Sequence, residues 1–308
     1  MASARLAVLA IAILTFLSFG GPFSDTLELL SHWRIQILGL AVLVAVLATW
    51  RSNRRIQAAA LAVCVLNAWP MGQHLARSAP VAEGHAQPSD ITVLAANLHG
   101  DKVDPLSFGT LLDETDPDIV VLTEVTKPVE TRLRTRLRDH HFAWAGDPNR
   151  LFSILIGVRG RQPAPEVRDT LPDQNFPWAS LEACPHACAT IIAVHAPHPD
   201  GLSPFNAQSR QFAEIMAESP DILPDVLLGD LNTTPWSPHY ARLLDNTGLK
   251  DAAPGIGWVN TWLSALPGLG LRLDHILVGP RVAVRSYKVG PNIGSDHRPV
   301  IARLSVAE

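Results

Sequence analysis

Two short stretches carry side chains that could do chemistry together. VLLGDLNTTPWSP, Val226 to Pro238, ends an apolar run in Gly, Asp and Asn, and GSDHRPV, Gly294 to Val300, sets Ser295, Asp296 and His297 just before another apolar run. The same arrangement recurs along the chain: Asn97 ends ITVLAANL, Glu124 ends DIVVLTEV, His195 lies in ATIIAVHAP, and Asp274 and His275 follow Leu273 in LDHILVG. Acids, amides and imidazoles at the ends of buried strands cost several kcal/mol each if left unpaired, so they must satisfy one another or a cation. Asn97, Glu124 and Asp296 offer hard oxygen donors of the kind that suit a magnesium-type ion, which keeps several waters and leaves room for a phosphate. Imidazoles have other work, as acids, bases and hydrogen-bond donors. Cleaving a phosphodiester needs an activated water, neutralisation of the non-bridging oxygens and help for the departing oxygen, and this set of residue types can supply all three.

Such residues need strands to hold them. The runs ITVLAANL, DIVVLTEV, LFSILIGV, ATIIAVHAP, DVLLGDLN, LDHILVG and RPVIARL are short, aliphatic and β-branched, as strands of a mostly buried sheet system are. Helical patterns intervene at Pro105 to Thr115, Val129 to Asp139 and Asn206 to Ala217. No repeat or low-complexity tract interrupts them. The alternation predicts an α/β layered fold with several strands ending on one edge.

The first quarter differs. Leu6 to Phe19, Ile35 to Trp50 and Ile56 to about Met71 are apolar and nearly free of charge, and they are expected to be three membrane spans, each at the short end of the required length. The first could instead be a signal-peptide core, and the other two buried helices. Arg51, Arg54 and Arg55 between the second and third stretches place that loop on the cytoplasmic side, which sends everything after about Arg77 to the periplasm or outer surface of a bacterium. The division expected is a membrane region over 1–76, a Pro- and Ala-rich linker over 77–89 and a catalytic domain over 90–308. From Asp90 onward, 19 Lys and Arg stand against 26 Asp and Glu, a net charge of −7, which argues against tight non-specific binding of duplex nucleic acid. The basic run RLRTRLR, Arg132 to Arg138, reads as the solvated side of a helix with Leu133 and Leu137 inward. Cys184 and Cys188 in CPHAC are close enough to pair across a turn in an oxidising compartment, with free thiols or a metal site as the alternatives.

Taken in order, these motifs resemble the endonuclease/exonuclease/phosphatase superfamily from about Ile91 to Leu304. AANLHG resembles its first motif, LTEV its metal-binding Glu, VHAPH its phosphate-contacting His, GDLNTTPWS its GDxN signature, and RLDHILV and SDHRP its closing pair. The resemblance implies a DNase I-like α/β fold, a four-layer sandwich of two β-sheets flanked by helices, here preceded by N-terminal transmembrane helices. It implies divalent-metal-dependent phosphoester hydrolysis with Mg2+ or Mn2+. Asn97, Glu124 and Asp296 would hold the metal, Asp230 would orient the attacking water, Asn232 the phosphate, and His195 would contact it. His297, paired with Asp274, would stabilise charge or move a proton. One departure stands out: several DNA-repair members carry Asp two residues after the first-motif Asn, where this chain has His99, so the metal site is expected to bind more weakly or to accept a different ion. His275 is expected to be a satisfied polar residue and not a catalyst, and Trp236 and Trp262 to be packing residues, with stacking on a base or a lipid headgroup as the alternative. The function expected is a membrane-tethered phosphodiesterase of endonuclease/exonuclease type, active outside the cytoplasm. A sphingomyelinase-like or phosphoinositide phosphoesterase is the alternative, and an inactive binding or scaffold protein the second. Partners expected are a nucleic-acid or phospholipid-headgroup diester and membrane lipid; no protein partner is inferred.

Overall fold

Successive side chains of a strand point to opposite faces, and here both faces are apolar, as a sheet covered on both sides requires. In the computed structural model, which describes residues 2–50, 53–83, 87–160, 166–169, 176–199, 207–222, 224–255, 259–266 and 268–307, strand β1 (Ile91–Asn97) turns Ile91, Val93 and Ala95 toward a second sheet, and Leu94 and Ala96 toward helices. It lies between β2 (Ile119–Thr123), which is parallel to it, and the antiparallel β12 (Val300–Val306). β3 (His140–Ala145), β4 (Ile154–Arg159) and β11 (Val282–Val289) complete a six-stranded sheet in the order β11-β12-β1-β2-β4-β3.

The second sheet repeats this plan. β5 (Arg168–Asp169), β6 (Trp178–Ala183), β7 (Ala189–His195), β8 (Val226–Asp230), β9 (Lys250–Asp251) and β10 (Asp274–Val278) run in the order β5-β6-β7-β8-β10-β9, with β7 and β8 parallel. Gly229 sits in β8 at φ 140°, and a Cβ there would lie 2.0 Å from the Val194 carbonyl oxygen, so only Gly lets β8 approach β7 at this point. Helices α5 (Pro105–Thr115) and α6 (Lys127–Arg136) cover the first sheet; α7 (Ala207–Ile222) and α8 (Pro238–Thr247) cover the second. α5 occupies its expected span, since Asp104 caps it by accepting from the Ser107 N–H and Asp116 ends it at φ 41°. α6 starts two residues before expectation and stops at Arg136. α7 runs beyond Ala217 and through Pro220, and Asn206, expected as its first residue, lies outside the described residues. Leu133 of α6 and Leu137 just after it are buried, Arg134 pairs with Glu130 and Arg136 with Asp113, which is the solvated helix face read from RLRTRLR. Cys184 and Cys188 form a disulfide in the turn between β6 and β7.

The first quarter folds as α1 (Ala2–Ser18), α2 (Asp25–His32), α3 (Arg34–Trp50) and α4 (Arg54–Leu75). Three separate full-length spans are not what these helices provide. Among the described residues no single helix is long and apolar enough to cross a membrane. α1 and α3 have 17 residues each, about 25 Å of helix against a hydrocarbon core of about 30 Å, and α4 is interrupted by Gln57, Asn67, Pro70 and His74. Thr26–His32 and Arg34–Trp50, bent by 61° at Trp33, pass the length and composition test only as a pair. Arg51, one of the three arginines expected to orient the spans, lies outside the described residues.

These helices are fastened to the sheets. Asp251 in β9 is fully buried and accepts from the Arg272 guanidinium, from Tyr240 Oη at 2.6 Å and from the Ala253 N–H at 2.9 Å; His74 Nε2 of α4 lies 3.3 Å from it. Although burial alone would raise this carboxyl, Arg272 and His74 hold it far below the usual range. Arg77 makes a two-pronged bond to Asp245 at 2.7 Å. The stretch expected to be a linker is bonded along the sheets: Ala79 N–H to Asp251 O, Asp251 N–H to Arg77 O and Ala82 N–H to Val284 O, while residues 84–86 lie outside the described residues.

Removing one partner of a buried, fully bonded ion pair leaves the other charge stranded. Arg272→Met should therefore destabilise the protein by about 3–5 kcal/mol in chemical unfolding, and Arg168→Met, at an exposed pair with Glu218, should change little. His275 gives a pH dependence. Burial, with Arg272 nearby, lowers its pKa to about 3, while the unfolded imidazole titrates near 6.5. The folded state therefore binds fewer protons below pH 6.5, and stability falls as pH drops through that value. Between pH 6.5 and 5, the decline should be shallower in His275→Gln by on the order of 1 kcal/mol.

Candidate active site

The face that packs one sheet on the other continues upward into polar residues. Val93 and Ala95 precede Asn97 by even steps on β1, as do Ile191 and Ala193 before His195 on β7 and Val226 and Leu228 before Asp230 on β8; Asp274 shares a face of β10 with Ile276 and Val278. A period of two thus delivers four polar side chains to the top of the inter-sheet core. His275, one step out of phase, points to the other face, where it donates from Nε2 to Thr233 O at 2.8 Å and packs on Tyr240.

Asn97 joins the two sheets. Its Nδ2 donates to Glu124 Oε1 at 2.9 Å and to Asp230 Oδ2 at 3.0 Å, and its Oδ1 accepts from the His99 N–H at 3.0 Å. Asp230 also accepts from the Asn232 N–H at 2.9 Å, and Asn232 Nδ2 donates to Ala196 O at 2.8 Å. His99, Glu124 and Asn232 adopt left-handed backbone at φ 49°, 53° and 48°, a conformation costing on the order of 1 kcal/mol or more at each non-Gly residue. The turns after β1, β2 and β8 thereby bend their side chains back over the strand ends.

His297 Nδ1 donates to Asp274 Oδ2 at 2.8 Å, and its Nε2 stands 3.9 Å from Asp230 Oδ2. Its backbone N–H is held by Ser295 Oγ, which donates to Asn97 O. Burial alone would discharge this imidazole, but the Asp274 and Asp230 carboxylates outweigh it and lift the pKa well above the usual value. Asp230 moves upward too, through burial first, with Asp274 adding to the effect and His297 opposing it. His195 behaves oppositely. Burial lowers its pKa to about 4, and because a carbonyl only accepts, its Nδ1 carries the proton bonded to Phe152 O at 2.9 Å. The Nε2 lone pair, 4.0 Å from Glu124 Oε1, is therefore free to accept.

Asn97, Glu124, His195, Asp230, Asn232 and His297 line one cavity of about 350 Å3. Asp274 stands behind His297. Asp296 does not line this cavity: it is 41% exposed at the rim and paired with His99 Nδ1. His198 and Trp262 also line the cavity, whereas Trp236 is buried packing that donates from Nε1 to His32 O. His186 pairs with Asp118 and His239 with Ser209. Sequence reasoning missed the remaining walls. Phe152 and Phe176 stack against each other and His195, and Leu29, His32 and Trp33 come from α2 and the bend after it. Only Phe152, at the start of the LFSILIGV run, carried a signal, that of a strand end.

The donor set fits a hard divalent cation. Glu124, Asp230 and Asp274 put three carboxylates around one amide and one imidazole, Asp274 Oδ1 is buried without a hydrogen-bond partner, and ligand atoms of Asp230, Asp274 and His297 lie within 4.8 Å of one another. Asn97 presents its nitrogen to the carboxylates, so to hold an ion by oxygen its amide must turn over, releasing the His99 N–H.

Three comparisons bear on this geometry. No curated protein matches the chain. Among solved structures, the fold is similar to an endonuclease/exonuclease/phosphatase from Bacteroides vulgatus (TM-score 0.57, 20% identity, 70% of this chain and 99% of that one) and to a mannosyl-6-phosphatase from Bacteroides thetaiotaomicron (0.57, 16%, 70% and 99%). TDP2 from D. rerio, complexed with a single-strand DNA product, is similar at TM-score 0.54 and 15% identity over 70% of this chain and 99% of that one. At these identities the likeness is one of fold. The Endonuclease/Exonuclease/phosphatase family itself matches residues 94–297, two thirds of the chain and every polar residue of the cavity floor, and the chain belongs to that family.

Proposed function

We propose that the chain is a divalent-metal-dependent phosphoester hydrolase of phosphodiesterase type, held on a membrane with its catalytic domain outside the cytoplasm. The observation that carries the reaction is the Asp274–His297–Asp230 series facing Glu124 and Asn97 in one cavity. Asp230, held by the Asn232 N–H, accepts a proton from a water as that water's oxygen bonds to phosphorus. The phosphorus–oxygen bond to the alcohol breaks in line with this attack. His297 is kept charged by Asp274 and directs Nε2–H at the developing oxyanion or the departing oxygen, which leaves as the alcohol with one proton. Asn232 keeps one amide hydrogen for a non-bridging oxygen. His195, neutral with a free Nε2 lone pair, meets the phosphate through a hydrogen that water or substrate supplies. Mg2+ or Mn2+ held by Glu124 and Asn97, with Asp296 at the rim, would neutralise the non-bridging oxygens.

Membrane attachment is supported by a reversed packing pattern. Ala41, Ala45, Ala48 and Ala60 are buried where α3 and α4 pack, while Leu9, Phe16, Leu43, Val46, Val65 and Trp69 point outward. Small residues inside and large apolar residues outside suit a lipid surround rather than water. A location outside the cytoplasm agrees with the Cys184–Cys188 disulfide.

Purified full-length protein should hydrolyse bis-p-nitrophenyl phosphate with Mg2+ or Mn2+ and lose that activity to a chelator. His297→Ala should lower kcat by about a thousandfold, as should His297→Gln, which keeps a hydrogen bond to Asp274. A rate indifferent to both chelator and substitution would overturn the proposal. A reporter active only outside the cytoplasm, fused at the carboxy terminus, should be active; activity of a cytoplasm-only reporter would reverse the topology.

A further inference from the structure

The helices that precede the family match reach into the cavity. α2 lies along the segment that follows β8: Ser237 Oγ, which caps α8, donates to Glu28, and Trp236 Nε1 donates to the His32 carbonyl at 3.0 Å. At the start of α3, Gln36 Nε2 donates to Leu269 O at 3.1 Å and Gly270 O at 3.3 Å, in the loop after Trp262. Both loops that flank the catalytic floor are thus clamped by the helical region. The clamp brings Leu29 and Trp33 to the wall of the cavity, where Trp262, Leu271 and Leu273 are further apolar lining. Leu29 is 38% exposed, an apolar side chain left uncovered at the cavity mouth.

No Lys or Arg lines the cavity among the described residues. A nucleic-acid chain brings a phosphate every nucleotide and needs cationic side chains along its path. Here one phosphate is provided for, and the surroundings are hydrocarbon.

We infer that Leu29 and Trp33 form a substrate-binding wall of this active site and that the substrate is a phosphodiester whose alcohol is a hydrocarbon-bearing lipid. The inference rests on the phosphodiesterase reading above and adds the identity of the alcohol. Its phosphate sits on the Asn97, Asp230 and His297 floor, and its apolar part lies against Leu29, Trp33 and Trp262, which removes hydrocarbon from water at the cost of little rearrangement. α2 leads directly into the apolar bundle through the bend at Trp33, so this wall is continuous with the surface assigned to lipid.

The test uses full-length protein in detergent, with Leu29→Ser and Trp33→Ala, on three probes: dihexanoyl phosphatidylcholine, methyl p-nitrophenyl phosphate and a single-stranded oligonucleotide. Both variants should raise KM for the lipid about tenfold and leave kcat/KM on the small diester within twofold. Leu29→Ser, at an exposed position, guards against a folding defect in Trp33→Ala. Equal losses on lipid and small diester, or none on either, would overturn the wall. An oligonucleotide cleaved in preference to the lipid would overturn the substrate class. Binding of the lipid in the presence of chelator, read by calorimetry, separates the two layers. Binding that Leu29→Ser weakens supports the wall even if the wild type hydrolyses no diester, an outcome that would overturn the phosphodiesterase reading alone; absence of binding would overturn the wall.

Discussion

One amide holds the site together. Asn97 ends a strand of the first sheet and donates to Asp230, which ends a strand of the second, while its other hydrogen goes to Glu124. Without that donor, two carboxylates would face each other across the top of an apolar core, in surroundings where an unpaired charge costs several kcal/mol. His297 supplies the balancing positive charge because Asp274 keeps it protonated. The inter-sheet core, the strand registers and the left-handed turns at Glu124 and Asn232 can all be understood as what is needed to bring these few groups within 4 Å. The same balance makes the site hospitable to a divalent cation, which would replace a weak neutral donor with a strong charge.

Much of this was legible from spacing. Each strand-ending polar residue stands an even number of positions from the apolar residues of the inter-sheet face, so once those runs are taken as strands, Asn97, His195 and Asp230 must share that face. Parity also separates neighbours that composition cannot: Asp274 enters the site and His275, beside it, becomes a buried support for Tyr240. The expected role of His275 as a satisfied polar residue therefore has a geometric cause. Asp296 shows the limit of the approach. Its oxygen donor at a strand end suggested a metal ligand beside Asn97 and Glu124, and it stands at the cavity rim in the turn before β12, paired with His99. His99 stands at the position where a carboxylate was the family expectation, and an acid there would have left Asp296 facing a like charge.

The first quarter was legible in composition and not in architecture. Apolarity identified the helices and their shortness, yet two properties were hidden from it: the bend at Trp33 and the attachment of α4 through His74 to Asp251. Such attachments rest on single polar residues inside apolar runs, and a hydropathy reading averages them away. Glu28, His32, Gln36 and His74 each stand near or within a stretch taken for lipid-facing helix, and each contacts the catalytic domain. Charge or amide character that looks like a flaw in an apolar stretch is, in this fold, what docks the helix.

That docking changes where specificity can reside. The groups proposed to act on the diester all lie within the family match, on strand ends, and a shared fold says nothing about the alcohol released. An apolar wall contributed from outside the match can hold that alcohol without touching phosphorus, and binding energy gained there can be used to align the diester with Asp230 and His297. Because the clamp uses the loops after β8 and around Trp262, any shift of the helical region would also move the turns that carry Asn232 and His297. Substrate choice and catalytic geometry therefore meet in the hydrogen bonds of Glu28, His32 and Gln36, whereas the Leu29 and Trp33 side chains are no part of that clamp and can change the wall alone.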